Sequence, residues 1–125
     1  MEKLHITPEN IARWLEQLIG SGRSVYAPVR TGERVDFKKI ARPEEVASDY
    51  VQTTQSVKKV VFPRTEELFS YRKEGKQVSV RQPDLQAIPE TVVWKIRPCD
   101  AAGFAPLSGI FNWDYKDGSY NARAE

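Results

Sequence analysis

The residues best placed to do chemistry lie in Ile96-Arg-Pro-Cys-Asp-Ala-Ala-Gly-Phe-Ala. There the only cysteine of the chain, Cys99, stands between Pro98 and Asp100. A β-branched run, Thr91-Val92-Val93, precedes it and a helix-compatible run follows. The pattern predicts a strand that hands over to a helix, with the thiol at the junction. Asp100 is the residue type preferred as a helix N-cap. A helix N-terminus favours thiolate over thiol, and the thiolate is the form that attacks or binds metal. Ala101, Ala102 and Gly103 keep the next turn small, so a bulky group has room to approach. Three roles are open to such a cysteine: one ligand of a centre completed elsewhere, a nucleophile, or a small buried apolar residue.

Other chemistry is thin. His5 is the only histidine and lies near a terminus, so no Ser-His-Asp set can be built around it. Glu44-Glu45 and Glu66-Glu67 are adjacent pairs, which point to different faces of a helix or strand and read as solvated rather than as an acid/base dyad. The chain has no Gly-x-Gly-x-x-Gly or Walker loop. Trp94, Trp113 and Tyr115 read as packing residues.

These groups need elements to hold them. Thr7-Pro8-Glu9 is a helix start, with Thr7 as N-cap and Pro8 at the first helical position. Ile11, Leu15, Leu18 and Ile19 then share one face, with Trp14 beside them, until Gly20-Ser21-Gly22 ends the helix. Residues 24–29 and 34–40 predict a hairpin around Thr31-Gly32-Glu33, with Pro28 marking an edge strand or strand end. A helical turn over 43–48 and a loop to Gln55 follow. Ser56 caps a short helix, Val57 to Phe62, stopped by Pro63. Glu74-Gly75-Lys76 turns a second hairpin, with Val78 and Val80 on its return strand. Val92, Val93 and Ile96 predict the most buried strand. Ala101 to Phe111 predicts a helix in which Pro106 either opens a later helix or makes a kink. A last helix begins near Tyr120. The fold class expected is α/β, with α+β as the alternative. It comprises a small mixed sheet with β-hairpins, an amphipathic N-terminal helix and the strand–Pro-Cys-Asp–helix unit, all in one domain over residues 1–125.

Nineteen basic and seventeen acidic residues give a net charge of +2, too small and too interspersed for a nucleic-acid stripe. Lys58-Lys59 and Arg72-Lys73 read as solvated surface. No apolar run approaches the ~18 residues that cross a bilayer, so membrane insertion is not expected. The N-terminal residues lack the apolar stretch of a signal peptide, and one cysteine cannot close an internal disulfide; both point to a cytoplasmic protein.

The Arg97-Pro-Cys-Asp block, followed by Ile110-Phe111 and Asp117…Tyr120…Arg123…Glu125, resembles the iron–sulfur beta subunits of cytosolic nickel–iron hydrogenases (sulfhydrogenases) and the A subunit of anaerobic sulfite reductase. These are dicluster ferredoxin-like electron-transfer proteins. Tyr26-Ala-Pro-Val-Arg and the segment from Ser56 to Tyr71 are similar to earlier parts of the same family, in the same order. In that family further cysteine-bearing segments and two cluster motifs follow this region. The resemblance therefore implies the N-terminal part of a longer cluster-binding subunit, whose full-length form holds an iron–sulfur cluster of the 4Fe-4S type. It implies Cys99 as one metal ligand, Arg97 and Asp100 beside the cofactor, and a catalytic hydrogenase or sulfite reductase subunit as partner. Cluster ligation takes four thiolates, so this chain alone is expected to hold no cluster and to catalyse no reaction. A non-redox scaffold or docking module of a multi-subunit complex is the alternative, and a thiol-dependent enzyme using Cys99 is a third.

Overall fold

Strand β1 (Ser24–Thr31) organises the chain, because it is the one strand covered on both faces. Val25 and Ala27 are fully buried and Pro28 nearly so. The computed structural model describes residues 5–124; Glu125 of the resemblance and the first residues of the N-terminus lie outside that range. β1 pairs antiparallel with β2 (Arg34–Lys39), from Thr31↔Arg34 to Tyr26↔Lys39. It pairs parallel with β5 (Thr91–Val93), through Ser24↔Thr91 to Tyr26↔Val93. The sheet is thus mixed, in the order β2-β1-β5. A separate two-stranded sheet is made by β3 (Ser70–Glu74) and β4 (Gln77–Arg81). With its helices this is an α/β fold. Both hairpins close through two-residue loops led by glycine, Gly32 at φ 61° and Gly75 at φ 60°. Glycine at the first loop position with positive φ is the signature of a type II′ turn, whose twist suits the flanking strands.

Helix α1 (Pro8–Gly20) starts as its residues dictate, with Thr7 Oγ1 accepting the Asn10 N–H at 3.3 Å. It lays Leu15 into a core with Val25, Ala27 and Ile40, flanked by Ile11, Leu18, Ile19, Val29, Val46, Val92 and Trp94. Trp14 and Trp94 meet edge to face, ring centres 5.2 Å apart. A 3₁₀ turn over Pro43–Glu45 and another over Val57–Val60 follow, the second capped by Ser56, whose Oγ accepts the Lys58 N–H. After a further 3₁₀ turn at Leu85–Ala87, the chain ends in α2 (Pro98–Ala102), α3 (Phe104–Phe111) and α4 (Gly118–Ala124). No helix among the described residues is long and apolar enough to cross a membrane.

Several expectations are corrected. Pro28 lies in the central strand, not at an edge. The Val25 carbonyl accepts from Ile40 and the Tyr26 carbonyl from Trp94, so odd residues of β1 turn their backbone toward β2 and even ones toward β5. The missing N–H of Pro28 therefore faces the β5 side, one step beyond the last paired residue, and its carbonyl accepts from Ala47 at 2.7 Å. β5 is a half-buried edge strand of three residues and leaves out Ile96; β1 is the most buried strand. The stretch from Ala101 to Phe111 is not one helix but two, which break at Gly103; of the two alternatives for Pro106 the first holds, since it lies in the first turn of α3. Trp113 and Tyr115 are 85% and 78% exposed and pack on nothing comparable to Trp94. Glu66 is not solvated: it pairs with Arg123 at 2.6 Å, both side chains about four-fifths covered.

Truncating Leu15 to alanine removes the one side chain by which α1 is fully inserted in the core. Leu15→Ala is expected to lower unfolding free energy by about 2–5 kcal/mol, whereas exposed Val78→Ala stays within about 0.5 kcal/mol. Chemical denaturation of both variants checks the contrast, and equal losses would contradict the burial pattern.

Candidate functional site

The thiol is placed by the segment that leaves β5. Trp94 donates its N–H to the Tyr26 carbonyl at 2.8 Å, and Pro28 offers no donor for the next step. The chain turns at Lys95, whose φ is 58°. Three side chains then lace residues 95–97 to residues 47–51. Lys95 Nζ donates to the Ala47 and Ser48 carbonyls at 3.2 and 3.1 Å. The Tyr50 hydroxyl donates to the Lys95 carbonyl. Arg97 Nη1 donates to the Val51 carbonyl at 3.2 Å. Tyr50 is itself braced edge-on against buried Phe37, ring centres 6.2 Å apart.

Arg97 is the first residue flanking α2, and its Nε donates to Asp100 Oδ2 at 2.8 Å. Cys99 lies between the two in the first turn of α2 and is exposed. The structure thus brings Arg97, Cys99 and Asp100 together within one turn. The exposure removes the reading of Cys99 as a buried apolar residue. It also corrects two geometric expectations. Asp100 is not the N-cap: the helix opens at Pro98, and the Asp100 carboxylate, inside the first turn, is held by Arg97 instead. Nor does the thiol sit on a strand tip, since four residues separate β5 from α2. A helix of five residues sums few peptide dipoles, so its field at Cys99 is weak. The nearby charges are a matched pair, guanidinium and carboxylate.

Electrostatics agree with this geometry. The hydrogen bond and charge of Asp100 hold Arg97 above the ordinary arginine range, with smaller contributions from Cys99 and Tyr50. Burial pushes the Tyr50 hydroxyl above the ordinary tyrosine range; Arg97 acts in the opposite direction, while Asp100 and Cys99 add to the rise. The space expected beside Gly103 is taken, because a Cβ there would stand 2.9 Å from Lys58 Nζ. Lys58 therefore lies over the α2–α3 junction rather than in free solvent. His5 stands exposed ahead of α1. Among the described residues, no three of His, Cys, Asp and Glu gather as metal ligands. Cys99 alone supplies one of the four thiolates that a cluster takes.

Tyr50, Lys95 and Lys58 were not legible as parts of this site. Tyr50 meets Lys95 across 45 positions, and no local spacing signals that contact. No family model, no curated protein and no solved structure matches this chain.

Two outcomes follow. Cys99 in the folded chain reacts completely with an aromatic disulfide reagent, one thiol per chain, without denaturant; reaction only after unfolding would contradict its exposure. Tyr50 binds its proton more tightly folded than unfolded, so its contribution to stability is whole below about pH 10 and is lost as pH rises through its raised value. Tyr50→Phe removes that alkaline component, read by denaturation at a series of pH values; an unchanged alkaline profile would contradict the assignment.

Proposed function

We propose that this chain is part of an iron–sulfur electron-transfer subunit that works in the cytoplasm and passes electrons to or from a catalytic hydrogenase or sulfite reductase subunit. It inserts in no membrane and takes no nucleic acid as partner. The observation that carries the reading is the exposure of Cys99, the single thiol, on a short helix whose leading segment is tied to the 47–51 loop through Lys95, Tyr50 and Arg97. A thiol in that position can meet a segment or subunit that brings further cysteines. A cluster bound there would supply one-electron redox chemistry. Cys99 provides one ligand to it, Arg97 balances the negative charge of thiolate ligation, and Asp100 fixes the Arg97 fork. The residues of this chain position and ligate; the reaction belongs to the partner.

A non-redox docking module is the second reading, favoured by the uncovered apolar face of the β3–β4 hairpin.

The test compares wild type with Cys99→Ser in the natural assembly, purified anaerobically from the source cells. Electron paramagnetic resonance of the reduced assembly is expected to change one cluster signal in the variant, with lower iron and sulfide content. Identical spectra, iron and sulfide would overturn the redox role and leave the docking module.

A further inference from the structure

We propose that the β3–β4 hairpin is a docking arm that receives an acidic, apolar-centred surface of another protein subunit. The inference rests on the reading of the chain as a member of an assembly, and not on the role of Cys99.

The register pairs Tyr71 with Val80 and Lys73 with Val78. Side chains of directly opposed residues share a face, and alternate residues along each strand do too. Tyr71, Val78 and Val80 therefore form one face, with Lys73 toward the turn. Phe69, two residues before Tyr71, extends it by the same alternation. The opposite face carries Ser70, Arg72, Glu74, Gln77, Ser79 and Arg81. An antiparallel sheet with this alternation is built to have its apolar face covered. Here Phe69, Tyr71, Val78 and Val80 remain 57–69% exposed. At the root of the hairpin lies a groove of about 320 Å³ of mixed character, in which Leu68, Pro83, Leu85 and Tyr115 stand beside Gln82 and Asp117. A patch of this kind on one side of a two-stranded sheet marks an interaction surface.

Charge says what covers it. Residues 70–81 hold four cations and one acid, more net positive charge than the whole chain carries. Glu74 is already paired with Arg72 at 2.8 Å. Lys73, Lys76 and Arg81 form no ion pair among the described residues. Two hairpins meeting face to face would bring these same cations against each other, so the charges oppose that pairing. Nucleic acid would find valines where it needs cations, since the apolar face carries only Lys73. A protein surface with an apolar centre and a rim of carboxylates satisfies both the face and its edge.

The assembly is purified from the source cells at about 0.05 M salt, where such contacts are least screened, and treated with a carbodiimide, which joins lysine to carboxylate without a spacer. Lys73 or Lys76 is expected to be linked to Asp or Glu of a different polypeptide. Amide exchange over 70–81 is expected to slow by at least about tenfold relative to the isolated chain. Lys73→Glu combined with Lys76→Glu is expected to weaken the assembly by at least about tenfold. Because both side chains are exposed, the melting temperature of the isolated variant should match wild type. Links to carboxylates of a second copy, loss of the assembly on nuclease treatment, recovery of the chain free of any subunit, or unchanged exchange over 70–81 would each overturn the proposal. Cys99→Ser should alter none of these readouts, so failure of the redox reading and failure of the docking arm are separable.

Discussion

A single missing hydrogen-bond donor shapes the path that leads to the thiol. Pro28 sits in the most buried strand, where interior strands ordinarily exclude proline. It is tolerated because its nitrogen faces the side on which β5 has already ended. Had β5 continued one step further, a ladder bond would be lost in the core. The parallel pairing therefore closes at the Trp94–Tyr26 bond, and the chain must leave the sheet at that point. It does so through Lys95 at a φ that disfavours any residue with a Cβ, a cost of about 1–2 kcal/mol. The Lys95 ammonium offsets that cost by bonding two carbonyls of residues 47 and 48. Ala47 in turn satisfies the Pro28 carbonyl. Proline, left-handed lysine and the 47–51 loop form one closed set of compensations, and Cys99 lies four residues beyond it.

The same set explains what the sequence could and could not disclose. Signals internal to a few residues were readable: Thr7-Pro8 as a helix start, Gly32 and Gly75 as hairpin turns, Ser56 as the cap of a short turn. The α/β class and the mixed sheet followed from them. The position of β1 did not. Pro28 argues for an edge when read alone, and only the length of β5, set 63 residues later, reverses that inference. Arg97, Cys99 and Asp100 were legible as a group because they are adjacent. Their partners were not, because Tyr50 and Val51 reach this segment from a stretch with few apolar residues and no period. Trp113 and Tyr115 misled for the opposite reason: aromatic type suggests burial, but burial depends on what the remaining chain can spare to cover it.

Exposure changes what Cys99 can be. A buried thiol at a long helix would have its chemistry set by the fold. This thiol has a short helix behind it and two opposite charges beside it that largely cancel at a distance. Its surroundings leave the sulfur open to solvent. A nucleophile needs an activating base or a lowered pKa, and no histidine stands in this segment to act as base. A metal ligand needs less, because the metal itself deprotonates a coordinating thiol. The local chemistry therefore suits ligation better than attack, provided the metal arrives with its other ligands.

Rigidity and cover are divided unevenly over this chain. The sheet, α1 and the laced 47–51 and 94–97 segments account for most of the buried residues, while the β3–β4 hairpin has no buried residue at all. An isolated two-stranded hairpin is marginal in water, since its own cross-strand pairs barely offset the entropy of ordering it. Its alternating pattern is nevertheless kept without a break, apolar on one face and polar on the other, and its turn has the glycine its geometry requires. Strand propensity and the Tyr71–Val80 cross-strand pair favour tyrosine and valine here, but by only about 0.2–1 kcal/mol per pair. A covering surface adds to this, because the apolar area it removes from water contributes about 25 cal/mol per Å² toward holding the hairpin in place. The hairpin and its cover would then order one another, and the thiol, tied separately to the 47–51 loop, would be oriented by the part of the chain that is already rigid.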